Sequence, residues 1–157
     1  MITIIDEKKV LQLAFADADY LPREIISSSD IVAAQERYIV PILGQRLTAM
    51  LLEGEYQELA EYYVAPALAF ATRLIIQPTL NIRLCEGGLV ALHGEGMEQP
   101  NQKAVSALVR SLKIRTRQLL KRLSAFTERN ATNYPEYDSK SNIFNRCSID
   151  GGVVQIF

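Results

Sequence analysis

Apolar residues recur at helical spacing through most of this chain, and the breaks between periodic stretches divide it into elements. Val10, Leu11, Ala14 and Phe15 share one face of a first short helix, with Asp6 placed to cap it. Leu21 to Ile25 reads as a short helical turn with Pro22 at its start. Ser27, Ser28, Ser29 and Asp30 then stop one element and cap the next. From there Ile31, Ala34, Tyr38 and Ile42 keep a helical period. After Pro41 and Gly44 the apolar set changes phase to Leu43, Leu47, Met50 and Leu51. A proline removes a helix hydrogen bond and crowds the preceding turn, so a kink is predicted there. Glu53-Gly54 closes the segment as a C-terminal cap.

A third helical stretch starts near Tyr56 and runs through Tyr62, Tyr63, Leu68, Phe70 and Leu74. It is apolar on nearly every side, the mark of a central helix covered all round, and Pro66 and Pro78 are expected to interrupt it. Beyond Pro78 two patterns fit: Leu80 to Leu84 continues the helix or forms a strand. Glu86-Gly87-Gly88 is a turn in either case, Leu89 to His93 suits a short strand, and Gly94 to Asn101 is a loop.

The clearest element is a fourth helix from Gln102 to Arg129. At about 100° per residue, Val105, Val109, Leu112, Thr116, Leu119, Leu120, Leu123 and Phe126 fall within an arc of roughly 120°. Arg110, Lys113, Arg117 and Lys121 line one flank of that arc, and Arg115, Arg122 and Arg129 the other. Asn130 to Asn142 is a polar, tyrosine-containing loop, and an apolar strand ends the chain. The predicted class is mainly α: about four kinked helices with a small β element, namely the C-terminal strand and an optional hairpin near residues 80–93. Residues 1–130 form the helical domain, and residues 131–157 form a loop and strand that pack on the same or a neighbouring subunit.

Composition changes this picture in one respect. A length of 157 residues, 48% hydrophobic and 22% charged, is ordinary for one globular domain. The net charge of −1 hides a split, however. Residues 1–61 carry eleven acidic and five basic side chains, a balance of −6, whereas residues 101–130 carry eight basic residues against Glu128, a balance of +7. Such asymmetry suits a nucleic-acid surface, or a subunit whose one end attracts the opposite end of its neighbour. Asp6, Glu7, Lys8 and Lys9 occupy the place of an apolar leader segment, and Tyr62 to Ile76 is too short to span a bilayer and contains Arg73. No membrane is expected, and the chain reads as cytoplasmic when made.

Candidate chemistry is sparse. His93 is the single histidine, and Cys85 and Cys147 lack the paired spacing of a zinc site. A Cys85–His93 nucleophile pair lacks an evident third group. Gly94-Glu95-Gly96 has neither the lysine nor the hydroxyl of a phosphate loop. No catalytic residue, cofactor or metal is therefore expected, and the chain does not read as an enzyme. The basic helix can grip phosphates, but its one aromatic, Phe126, sits on the core side, so stacking on bases is not provided for. A protein interface is the favoured reading of its basic edge, with DNA contact as the alternative.

Two stretches exceed the needs of a monomer: the loop NATNYPEYDSKSNIFN (Asn130 to Asn145) and the terminus CSIDGGVVQIF. An exposed apolar strand is an aggregation hazard unless it pairs. Val153, Val154, Ile156 and Phe157 are thus candidate interface residues, pairing with Leu89 to His93 in the same chain or with a neighbour's sheet.

The stretches DIVAAQERYIVPILGQRLTAMLLEG (Asp30 to Gly54), YVAPALAFATRLIIQPTL (Tyr63 to Leu80), YPEY (Tyr134 to Tyr137) and CSIDGGVVQIF together resemble a family of phage and prophage head–tail connector or adaptor proteins. The helix-rich layout is also similar to the broader class of head-completion proteins. The resemblance implies a ring of about twelve copies between portal and tail, built from head-to-tail contacts. It implies portal and tail or stopper proteins as partners, and DNA only as the passing genome. It also implies a location in the host cytoplasm during assembly and in the virion afterwards.

Overall fold

The structure, a computed structural model, describes residues 2–15, 25–80, 82–85, 88–91, 102–150 and 153–156. The chain is mainly α. Helix α1 (Glu7–Ala14) starts at Asp6, whose Oδ1 accepts the Lys9 N–H at 2.8 Å. Helix α2 (Ser28–Ala34) starts at Ser27 in a reciprocal cap: Ser27 Oγ accepts from Ser29 N–H, and Asp30 Oδ2 accepts from Ser27 N–H. It runs through a π segment, Gln35–Ile39, into α3 (Val40–Leu52). A second rod comprises α4 (Gln57–Leu59), a π segment (Ala60–Val64), α5 (Ala65–Ile76) and a closing 3₁₀ turn, Gln77–Thr79. Helix α6 (Gln102–Arg129) is 28 residues long, about 42 Å at 1.5 Å per residue.

Both rods treat proline in the same way. Immediately before Pro41, the Val40 N–H donates five residues back to the Gln35 carbonyl, and before Pro66 the Ala65 N–H does the same to Ala60. A π turn takes in one extra residue, which makes room where a proline ring crowds the preceding turn. The two sites share a pattern: Glu36, Tyr38 and Pro41 in one, Glu61, Tyr63 and Pro66 in the other. Pro66 therefore does not interrupt the third helix as expected, because the widened turn ahead of it carries the rod through.

The kink predicted in α3 falls at Gly44, whose φ of 80° and ψ of 162° are outside the helical region. Leu43 before this break and Leu47 and Leu51 after it are all buried. Gly54, at φ 90°, ends α3 in the left-handed region, with its N–H donating to Leu51.

Helix α5 is the centre. Its Ala65, Ala67, Leu68, Ala69, Phe70, Ala71, Thr72 and Ile76 are all buried, and α1, α2 and α6 pack around it. The rod Gln57–Thr79, 23 residues, is long and apolar enough to cross a membrane by length and composition, and 56% of its most apolar stretch is buried inside the fold. The α6 stripe packs from Leu112 onward, through Thr116, Leu120 and Leu123. Val105, expected on that stripe, is 38% exposed, as α6 runs on past the end of α5.

Backbone pairing joins β1 (Ile82–Cys85) to β2 (Gly88–Ala91), and β3 (Cys147–Asp150) to β4 (Val153–Ile156), each antiparallel. The partner of the terminal strand is thus the segment just before it, Val154 opposite Ile149 and Ile156 opposite Cys147, rather than Leu89 to His93. His93 and Phe157 lie outside the described residues.

Gly44 occupies a backbone region that side chains avoid, although a Cβ there would meet the Ser141 hydroxyl at an ordinary 3.6 Å. Gly44→Ala is expected to cost about 1–3 kcal/mol through backbone strain alone. Urea unfolding followed by circular dichroism checks this, with an unchanged midpoint as the contrary result.

Candidate functional site

Long helix α6 presents two different edges. On one, Arg115 lies over the Phe70 ring at 4.3 Å and Arg122 over the Tyr63 ring at 5.1 Å. Their stems cover core aromatics, and the charges take part in cation–π contacts. Phe126 stacks on Tyr63 with centroids 3.8 Å apart. That edge belongs to the core.

The other edge holds the predicted interface residues Arg110, Lys113, Arg117 and Lys121. All four are exposed, and none makes an ion pair or hydrogen bond among the described residues, where the ion pair formed is Lys9 with Glu61 at 3.1 Å. No carboxylate occurs on α6 before Glu128 to offset them. Arg117 stands with Arg37 at the rim of a groove of about 500 Å³, floored by Tyr38, Pro41, Ile42, Leu120 and Phe144. Val105, Leu108 and Ile114 are exposed on the same half of the helix, Ile114 by 51%. An apolar side chain amid uncompensated cations is a surface that gains from being covered. Val153, Val154 and Ile156 lie in β4 and belong to a different element from this edge.

The loop after α6, expected to pack on the same or a neighbouring subunit, makes contacts within its own chain. Tyr134 and Tyr137 are buried, and the loop folds back on the helix it leaves. Glu128 is the hub: its carboxylate accepts from Tyr137 Oη at 2.5 Å, from Ser139 Oγ at 2.9 and 3.0 Å, and from Asn145 Nδ2. Fully buried Asn142 donates to Ser124 Oγ at 2.8 Å and Tyr137 Oη at 2.7 Å, and accepts from the Phe144 N–H. Farther along, Glu136 accepts from Tyr56 Oη at 2.9 Å, and Tyr134 meets the Tyr56 ring edge-on at 5.0 Å. Tyr56 holds a positive φ of 52° at the turn into α4, so these contacts fix a strained residue. Sequence reasoning saw Glu128 only as the lone acid of a basic helix. The signal for its role was the run of hydroxyl and amide side chains from Tyr137 to Asn145.

Among the described residues no group of three or more histidine, cysteine or acidic side chains could hold a metal ion. A groove of about 380 Å³ at the foot of α1 and the start of α4 is lined by Ile4, Ile5, Leu51, Ala60 and Ala65 and edged by Asp6, Glu55 and Glu61.

Burial acts to raise the Glu128 pKa, but hydrogen bonds from Tyr137, Ser139 and Asn145 outweigh it and hold the carboxyl below its ordinary value. Burial first, then the bond to Glu128, pushes the Tyr137 hydroxyl well above the usual tyrosine range. A carboxylate with a lowered folded pKa stabilises above its unfolded value of about 4.3, and this stability drains as pH falls through the folded value. Stability is therefore expected to be full above about pH 5 and to fall as the solution is made more acidic than the ordinary glutamate value of about 4.3. Glu128→Gln should lose about 1–3 kcal/mol at neutral pH and flatten that dependence, measured by urea unfolding at a series of pH values. An unaltered pH profile in the variant would remove Glu128 from this role.

No curated protein matches the chain, and no solved structure matches it. A family described as "Family of unknown function (DUF6712)" matches residues 32–145, which span the first kinked rod, the central helix, α6 and the loop clipped to it. The chain belongs to this family.

Proposed function

We propose that this protein is a structural subunit that acts by assembling into a ring, in the manner of a phage head–tail connector. The observation that carries the reading is the outer edge of α6: four exposed cations without an ion pair or hydrogen bond among the described residues, beside the exposed Ile114. An interface that met these cations with carboxylates would cover Ile114 at the same time. The resemblance of the sequence to connector and adaptor proteins supplies the context, with a portal and tail or stopper proteins as neighbours and DNA as passing cargo. In this reading the chain is not an enzyme. It works through packing and symmetry in the assembling cell and then in the virion.

The small β element fits the same reading. Each antiparallel pair, β1–β2 and β3–β4, has two strands, and isolated two-stranded ribbons are marginal in water. A neighbouring copy that adds a strand at the open edge of β4 completes the sheet through main-chain hydrogen bonds.

DNA binding through the same four cations is the alternative, favoured by their lack of ion pairs and hydrogen bonds among the described residues. It predicts an affinity that falls steeply with salt, by roughly a factor of ten for each doubling of salt if four phosphates are contacted. The inward stacking of Phe126 on Tyr63 leaves α6 without an aromatic platform for bases.

Light scattering of the purified chain over a wide concentration range tests the ring. A discrete species of about twelve subunits is expected for a closed head-to-tail ring, and a monomer throughout contradicts it. Removal of residues 151–157 is expected to weaken assembly by at least about tenfold in concentration, the loss of about 1.4 kcal/mol of strand pairing. Intact assembly after that truncation would end the role given to β4.

A further inference from the structure

The outward face of α6 and the groove at the foot of α1 are matched in charge and in form. Lys103, Ala107, Arg110, Ile114, Arg117 and Lys121 follow one another at alternating steps of four and three residues, so they form one line along the helix. The line has one large apolar residue, Ile114, a small one, Ala107, and four cations. The groove is its counterpart: an apolar floor of Ile4, Ile5, Leu51, Ala60 and Ala65 beneath the carboxylates of Asp6, Glu55 and Glu61. Lys9, already paired to Glu61, is the one cation lining it.

These two surfaces cannot meet within one chain. Tyr63 and Phe70 face α6, through the Phe126 stack and through the Thr116 hydroxyl, which donates to the Phe70 carbonyl. Glu61 and Ala65 lie two residues either side of Tyr63, a turn of about 200°, and line the groove on the opposite side of the rod. The order of the α6 contacts, Thr116 with Phe70 and Phe126 with Tyr63, also shows that α6 runs antiparallel to α5. The free N-terminal half of α6 therefore points away from the end that carries the groove.

We infer that the groove is the receptor for the outward line of α6 from a second copy of this chain, with Ile114 seated on the apolar floor and Arg110 and Arg117 against the carboxylates. The inference rests on the ring reading and specifies its interface. The contact is head-to-tail: every copy offers both surfaces, so it propagates until the rotation closes. Burying opposite charges around an apolar anchor gives register and orientation as well as adhesion.

Charge reversal tests it. One variant carries Arg110→Glu and Arg117→Glu, and the other Glu55→Arg and Glu61→Arg. All four positions are exposed, so both should fold, which circular dichroism melting confirms. Each variant alone now opposes like charges and is expected to need at least about a hundredfold higher concentration to associate. Mixed one to one, each reversed surface meets its complement, and the wild-type mass is expected to return in light scattering. If wild type assembles and either variant assembles equally well, or if the mixture stays dissociated, this docking is overturned while the ring reading stands. If wild type remains monomeric to millimolar concentration, both are overturned.

Discussion

A helix that is apolar all round is stable in water only when other elements enclose it, and α5 sets that condition for the whole fold. Its alanines at 65, 67, 69 and 71 let neighbouring backbones come close, and its Leu68 and Phe70 fill the space between them. The flanking elements are arranged by that demand. Helix α1 lies along it, anchored at one end by the Lys9–Glu61 pair and at the other by Arg73, which donates to the Ala14 carbonyl and lies over the Phe15 ring at 4.5 Å. The exposed Lys9–Glu61 pair contributes little by itself, on the order of 0–1 kcal/mol, so burial of Val10, Ala14 and Phe15 holds α1 in place. Helix α6 covers a further side only from Leu112 on, since α5 and its 3₁₀ turn are shorter than α6.

The enclosure creates a second problem, which the loop after α6 solves. Thr127 and Ser124 are buried polar residues on a helix that packs against an apolar centre, and buried polar groups need partners. Thr127 donates to its own helix at Leu123, while Ser124 is met by Asn142 from the loop. No buried side-chain polar atom among the described residues lacks a hydrogen bond. Glu128 then concentrates the loop's hydroxyl and amide donors on one carboxylate, and the Tyr56–Glu136 contact ties the same loop to the turn between α3 and α4. The family match runs from the first rod through this loop.

Much of this was legible in the sequence because it is local. Asp6 and Ser27 cap where capping chemistry places them, Gly44 breaks the helix where the apolar phase shifts, and α6 has the limits its periodicity gives. The failures are non-local. Whether Val105 is core depends on how far α5 extends beside it, which no period in α6 can report. Pro66 reads as a break by its own chemistry, and only the widened turn at Ala60–Val64 lets the helix pass. The roles of Glu128 and Asn142 depend on a loop that returns to its own helix, with Ser124 and Asn142 18 residues apart in sequence. As for the interface candidates, spacing alone groups the four cations as one edge, whereas Ile114 stands outside the apolar stripe of α6, and its exposure depends on where the packed surface of the helix stops.

The charge split of the sequence gains meaning from the antiparallel path of α5 and α6. Six carboxylates, Asp6, Glu7, Glu53, Glu55, Glu58 and Glu61, come from the start of α1 and the α3–α4 junction, so the fold gathers them near one end. The cations before Glu128 spread along α6, which begins beyond the core at the other end and brings its C-terminal half level with Tyr63. Had α6 run parallel to α5, its free basic half would lie beside the acidic groove and the charges would neutralise one another within the chain. Running antiparallel, α6 instead carries Lys103 and Arg110 beyond the core, away from the acidic groove, and in the assembly proposed above the attraction between these two ends is met between copies. The topology thus turns a composition that sums almost to zero into a polarity, and polarity of this kind favours head-to-tail addition over two-fold pairing, where like ends would have to meet.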